Sequence, residues 1–196
     1  MLMAGTLTLM GRTSKAAKTA GFTKRLKAFG FDYLLICAFM ILLAGLTIGT
    51  IRMVGYLGFS LRWPDNPFFA DLIAFSTLIL PVILYFTLQE SSNTQSTWGK
   101  RKVGIMVVGK DNAKLTPMHA FIRSLVKLIP WQIAHTCLFH IPGWPFAVNT
   151  IPPTVIAGFV LVYVLVGVYI ACALISKQNR TPYDWAAGSY VVEKLS

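Results

Sequence analysis

The chain alternates long uncharged apolar runs with short polar and basic stretches. Between Asp32 and Arg52 lie nineteen residues without charge, Tyr33–Ile51. At about 1.5 Å of rise per helical residue they can cross a hydrocarbon core of about 30 Å, which predicts a first membrane span over 33–51. The eighteen uncharged residues Leu72–Gln89, with Phe68, Phe69 and Ala70 ahead of them, predict a second over 68–89. Pro81 falls in its middle and has no N–H to donate, so a kink is expected there. From Leu128 to Ile175 no Asp, Glu, Lys or Arg occurs for 48 residues, and Pro142-Gly143-Trp144-Pro145 and Pro152-Pro153 interrupt the run. That length fits two spans, 121–141 and 154–176, joined by a tight turn. The first of these is weak, because it holds Arg123, Lys127, Pro130, His135 and His140. The alternative makes it an amphipathic helix lying in the interface.

The basic residues separate the two arrangements. Six cations precede residue 28 (Arg12, Lys15, Lys18, Lys24, Arg25, Lys27), and five more stand at Lys100, Arg101, Lys102, Lys110 and Lys114. With four spans these share the inner side with Lys177, Arg180 and Lys194, and only Arg52 and Arg62 lie outside. Three spans would put the last three cations outside, a poorer match to the positive-inside bias. Outside the bilayer, the β-branched stretch Lys102–Val108, the turn signal Gly109-Lys110-Asp111-Asn112 and then Ala113-Lys114-Leu115 predict a short hairpin. The tail Gly188–Glu193 also reads as a strand, and an isolated hairpin is marginal in water, so a third strand from the tail would help it. If tail and hairpin share a side, an even number of crossings separates them. The expected architecture is an all-α membrane protein: a four-helix transmembrane bundle with a small cytoplasmic β-hairpin plus C-terminal strand, both termini cytoplasmic. A basic, flexible segment over 1–20 precedes it.

Composition narrows the function classes. With 55% hydrophobic and 13% charged residues, the chain has about half the charge of an average globular domain and too little polar surface for a soluble enzyme. Disorder is excluded by the same hydrophobicity. The net charge of +11 could suggest nucleic acid, but the cations flank apolar runs and no groove-reading motif accompanies them. The partner they fit is the lipid bilayer, whose anionic headgroups attract each surface Lys or Arg by roughly 1 kcal/mol. No signal peptide is expected at the N-terminus. Cys37, Cys137 and Cys172 sit in apolar runs without ligand spacing and read as buried inert thiols. His135 and His140 are five apart, off a common face, so packing or headgroup contact is expected and no metal. Trp63, Trp98, Trp131, Trp144 and Trp185 fall at predicted span ends or loops, as an interfacial belt would. Gly45-x-x-x-Gly49 offers a weak helix-packing face for self-association or another membrane protein. No nucleophile triad, phosphate loop or cofactor motif is present, so no enzyme activity and no cofactor are expected.

An ionisable residue at the edge of lipid needs a partner, a route to the headgroups or a cavity. Arg25 and Asp32 are seven residues apart, on one helical face but about 10.5 Å apart along the axis, so each looks for another partner. Arg123 opens the weak third span and Asp184 follows the fourth. Three blocks around these residues resemble, in order, the RDD family of bacterial membrane proteins, named for one arginine and two aspartates. They are Arg25-Leu26-Lys27-Ala28-Phe29-Gly30-Phe31-Asp32, the segment Thr97-Trp98-Gly99-Lys100 continuing to Val108 with Arg123 beyond it, and Arg180-Thr181-Pro182-Tyr183-Asp184 continuing through Gly188 and Ser189 to Val192. The resemblance spans roughly residues 20 to 193, so a transmembrane domain of this type is expected over 21–193, in a bacterial inner membrane. It implies that Arg25, Asp32 and Asp184 are the name-giving residues, with Gly99, Lys100 and Gly188 as motif positions. Tyr183 stands where the family often has histidine, which argues against a proton relay there, and Ser189 replaces a common threonine but keeps the hydroxyl.

The resemblance implies two kinds of activity. Some members are sodium or potassium/proton antiporters, and relatives occur beside unrelated membrane machinery. One reading is therefore a scaffold, adaptor or assembly factor in which Arg25, Asp32, Arg123 and Asp184 form a cytoplasmic ion-pair cluster. The alternative is a small-cation/proton antiporter using Asp32 and Asp184.

Overall fold

The computed structural model describes residues 18–60, 66–144, 148 and 150–194. Arg12, Lys15, Arg62, Trp63 and Pro145, with the greater part of the expected N-terminal segment 1–20, lie outside the described residues. The described chain is mostly helical, with a small antiparallel sheet of two strands.

Helix α1 runs over Phe22–Tyr56, eleven residues longer at its start than the uncharged run suggests. Its first three turns carry Arg25 and Asp32 inside the helix, where partners from other elements satisfy them. Helix α2 (Pro67–Ala74) is capped by Asn66, whose side-chain oxygen accepts from the N–H of Phe68 at 2.9 Å, and starts on Pro67, where a missing N–H costs nothing. It continues through a π-helical segment, Phe75–Ile79, into α3 (Leu80–Glu90). The kink expected at Pro81 thus takes the form of a π-bulge just before it, which shifts the hydrogen-bond register past the residue that cannot donate. Helix α4 (Trp98–Lys102) is short, α5 covers Pro117–Phe139, α6 Pro153–Ile175 and α7 Pro182–Ala186.

Three stretches, Phe22–Tyr56, Pro67–Glu90 and Pro153–Ile175, are long and apolar enough to cross a membrane. Their large apolar side chains point outward: Ile41 is 74% and Tyr163 76% exposed. A surface of that kind is at home in hydrocarbon and not in water. α5 is as long as α6, at 23 residues, but more polar, and it sits at the centre, packed against α2, α3, α6 and α7. Its apolar face meets Val82, Ile83 and Phe86 through Leu128, and at its far end Cys137 and Ile141 pack on Val155. There α6 comes so close that a Cβ on Gly158 would overlap the Cys137 sulfur.

Pro130 inside α5 frees the carbonyl of Val126, four residues earlier. The hydroxyl of Tyr169 on α6 donates to that oxygen at 2.6 Å. A backbone defect in one helix therefore becomes a bond between two. Tyr169→Phe is expected to lower stability by about 1–2 kcal/mol, read as the thermal midpoint in detergent; an unchanged midpoint would refute the assignment.

The sheet corrects one expectation. Strand β1 (Ile105–Val108) does not fold back on residues 113–115; it pairs with β2 (Tyr190–Glu193), Ile105 opposite Glu193 and Val108 opposite Tyr190. Lys110–Asn112 forms a 3-10 turn with Asp111 at φ +57°, and Ala113–Leu115 leads directly into the Thr116 cap of α5. Those three residues before a Thr-Pro helix start are too few for a strand, whereas the tail offers four. The other edge of β2 is covered by the stretch preceding α1: Thr19 bridges Val192, and Ala20 donates its N–H to the Val191 carbonyl at 2.9 Å. Ala20, Ala28, Ile105, Val107, Leu115, Ala120 and Val191 form the core beneath the sheet.

Candidate functional site

The polar ends of α1, α3, α5 and α7 converge beneath this sheet, and the charged groups they carry are almost wholly buried. Asp184 is fully buried, Glu90 likewise, and Arg123 and Asp32 are each 2% exposed.

Asp184 owes its place to a helix start. Thr181 precedes Pro182, and the Asp184 carboxylate at the third helical position turns back to accept from the Thr181 N–H at 3.0 Å and its hydroxyl at 2.8 Å. The outward face of the same carboxylate meets two arginines, Arg25 Nη1 at 2.7 Å and Arg123 Nη2 at 2.7 Å. Arg123 Nε also donates to Ser189 Oγ at 3.2 Å, which gives the serine hydroxyl a use. Gly188, at φ +57°, makes the left-handed turn that carries the chain from α7 into β2. Tyr183 presents its ring to Arg123, whose guanidinium carbon lies 5.1 Å from the centroid.

Burial by itself would raise the Asp184 carboxyl; the charges of Arg123 and Arg25 outweigh it and hold it down to about 2. Burial and the neighbouring carboxylate push the Tyr183 phenol up, so it stays neutral. The unfolded carboxyl titrates near 3.9. Ionised Asp184 therefore contributes stability that is complete above about pH 5 and is lost progressively as the pH falls toward about 1, in all about 2–3 kcal/mol. Thermal midpoints measured across that window should drop steeply for the wild type, and Asp184→Asn should flatten the slope. Equal slopes would contradict the pairing.

Arg123 also reaches a carboxylate that sequence reasoning missed. Its Nη1 donates to Glu90 at the end of α3, and the other Glu90 oxygen accepts from Lys100 Nζ, with Lys127 Nζ 3.6 Å away. Arg123 is thus a bridge between two buried acids, Glu90 and Asp184. The available signal was the position of Glu90, a lone acid ending an uncharged run at the expected hydrocarbon edge, where an unpaired carboxylate is costly.

Asp32 is brought close to these groups but takes no cation. Its oxygens accept from Thr97 Oγ1 at 2.6 Å, the Gly99 N–H at 2.8 Å and the Tyr85 hydroxyl at 2.9 Å. Thr97 is the N-cap of α4, and Tyr85 in turn accepts from the Trp98 N–H at 3.1 Å. Asp32 therefore pins the start of α4 onto α1, and the short loop after α3 follows it. Contact is so close at Gly99 that a Cβ there would overlap the Ala28 carbonyl oxygen and meet the Asp32 carboxyl. The motif residues acquire separate tasks: Gly99 permits the approach, Lys100 neutralises Glu90, and Gly188 turns the chain.

Away from the cluster, His135 and His140 donate through Nδ1 to the carbonyls of Trp131 and Thr136 on their own helix, each at 2.8 Å. Asp71 in α2 accepts from Gln132 at 3.2 Å and Thr136 at 2.8 Å, both on α5.

Long lipid-compatible helices with a buried knot of arginines, lysines and acids at one end define an integral membrane protein of multi-helix type. The chain belongs to the RDD family, whose model matches residues 19–188. No curated protein and no solved structure matches it.

Proposed function

We propose that this is a non-enzymatic, multi-pass protein of the bacterial inner membrane that acts as a scaffold, adaptor or assembly factor. Its ion-pair cluster is the lock that holds the helices in one arrangement. One observation carries the reading: each cluster carboxylate is already held by at least two donors of the protein. Asp184 has Arg25, Arg123 and Thr181; Glu90 has Arg123 and Lys100; Asp32 has Thr97, Gly99 and Tyr85. A carboxylate offers about four lone-pair sites, so Asp184 has none to spare for an exchangeable cation and Asp32 about one. Antiport through Asp32 and Asp184 would require those donors to leave.

In this reading α5 is the third of four spans and both termini are cytoplasmic. Two features support it. The sheet joins residue 19, strand β1 and strand β2, so an even number of crossings separates each pair. Described cations also gather beside the sheet: Lys100, Arg101 and Lys102 in α4 just before β1, Arg180 just before α7 and Lys194 directly after β2. The bilayer, including its anionic lipids, is the first partner. The open face of α1, where Gly45 and Gly49 meet nothing within 4 Å, is free for self-association or another membrane protein.

Reconstitution tests the proposal. Proteoliposomes bearing a sodium or potassium gradient should show no protein-dependent proton movement, while Asp32→Asn and Asp184→Asn lower yield and thermal stability. Cation-driven proton flux that either substitution abolishes, in a protein that still folds, would overturn it in favour of the antiporter.

A further inference from the structure

The cluster lines a small, partly open cavity, and its formal charge does not balance. Arg25, Lys100, Arg123 and Lys127 line it with Asp32, and Glu90 and Asp184 stand directly behind. Four basic side chains face three carboxylates, a formal excess of one positive charge in a site largely removed from water. Two donors have surplus capacity. Arg25 Nη2 is buried without any hydrogen-bond acceptor, although Nη1 of the same guanidinium is held by Asp184. Lys127 Nζ has its nearest carboxylate oxygen at 3.6 Å, beyond hydrogen-bond range, and rests 3.5 Å from the centroid of the Phe86 ring. A buried donor without an acceptor keeps its desolvation cost uncompensated, and an acceptor in the cavity would recover it.

The space suits a small anion. The cavity measures about 50 Å³. That is room for a small ligand of a few heavy atoms, the scale of a single oxyanion group. An anion that offers only acceptors would take the free arm of Arg25 and draw in the ammonium of Lys127, whose Glu90 partner is 3.6 Å away, and charge-assisted bonds of this type are the strong ones. A cation would instead meet the positive excess, and the one carboxylate lining the cavity already accepts three hydrogen bonds.

We propose that this cavity binds one phosphate-type oxyanion between Arg25 and Lys127. The same chemistry is offered by free phosphate and by the headgroup of an anionic lipid, and the two are told apart by experiment. The full-length protein in detergent is titrated with inorganic phosphate against chloride at constant ionic strength, with the thermal midpoint as readout. The same protein is then melted in phosphatidylcholine vesicles with and without added phosphatidylglycerol.

A saturable rise with phosphate in detergent identifies the free ion; a rise confined to phosphatidylglycerol identifies the lipid. In whichever arm responds, Lys127→Gln should weaken the apparent affinity by about tenfold or more, the effect of losing one charge-assisted hydrogen bond. Lys127→Arg should retain most of the affinity. Lys114→Gln, at an exposed lysine outside the cavity, should leave it unchanged. The proposal fails if wild-type protein responds in neither arm, a result that depends on no variant. It fails equally if Lys127→Gln, folded as judged by its midpoint without ligand, responds as wild type does.

Discussion

Arg123→Met is expected to be the most damaging single substitution in the molecule. It removes the only side chain among the described residues that bonds both Glu90 and Asp184, leaving Glu90 to Lys100 and the more distant Lys127, and Asp184 to Arg25 and the Thr181 cap. Breaking a buried pair by deleting one partner costs about 3–5 kcal/mol, because the remaining charge keeps its desolvation penalty without its compensation. Against a typical total of about 5–15 kcal/mol, that is a large part of the stability. The variant should show a strongly lowered thermal midpoint in detergent or fail to accumulate. Arg123→Lys should fall between, since an ammonium is a point charge and cannot reach two carboxylates as a planar fork does. Adding Glu90→Gln to Arg123→Met should deepen the loss, because Lys100 would then lose its carboxylate partner as well. An Arg123→Met protein that melts where wild type does would dismiss the bridge.

Gly99→Ala should have the second largest effect, at about 3 kcal/mol, although it adds one methyl group. The new Cβ would occupy the space of the Ala28 carbonyl oxygen, so α4 must withdraw from α1. Overpacking by a methylene ordinarily costs about 1–3 kcal/mol. Here the obstacle is backbone, which cannot swing aside as a side chain can, and withdrawal also lengthens the 2.8 Å bond from the Gly99 N–H to Asp32. Trp98, on the same short helix, reports the change directly: its ring lies edge-on to Phe31 of α1 at 5.9 Å between centroids. Tryptophan fluorescence and the thermal midpoint should both shift for Gly99→Ala. Neither should shift for Gly45→Ala, whose Cβ would meet nothing within 4 Å. Equal behaviour of the two variants would contradict the close approach.

Asp32 and Asp184 are employed differently. Both are buried, but Asp184 balances arginine charge while Asp32 accepts three hydrogen bonds from Thr97, Gly99 and Tyr85. They are two devices side by side, one that neutralises cations and one that docks a helix start. Glu90 belongs with the first.

The primary structure alone determined the lipid-facing helices, because uncharged runs long enough to span a bilayer need no tertiary information to be recognised. Membership of the RDD family and the sharing of a sheet by the tail and Ile105–Val108 were legible for a similar reason: fixed residue blocks and β-branched patterning are local properties. Pairing was another matter. That Asp184 would take Arg25 and Arg123 together and not one or the other, that Arg123 would also reach Glu90, and that Tyr169 would answer the carbonyl freed by Pro130 are contacts across 159, 61, 33 and 43 residues. No periodicity encodes such separations. They are decided by which helix ends the packing of α5 brings together, and a buried charge accepts whichever partner that packing delivers.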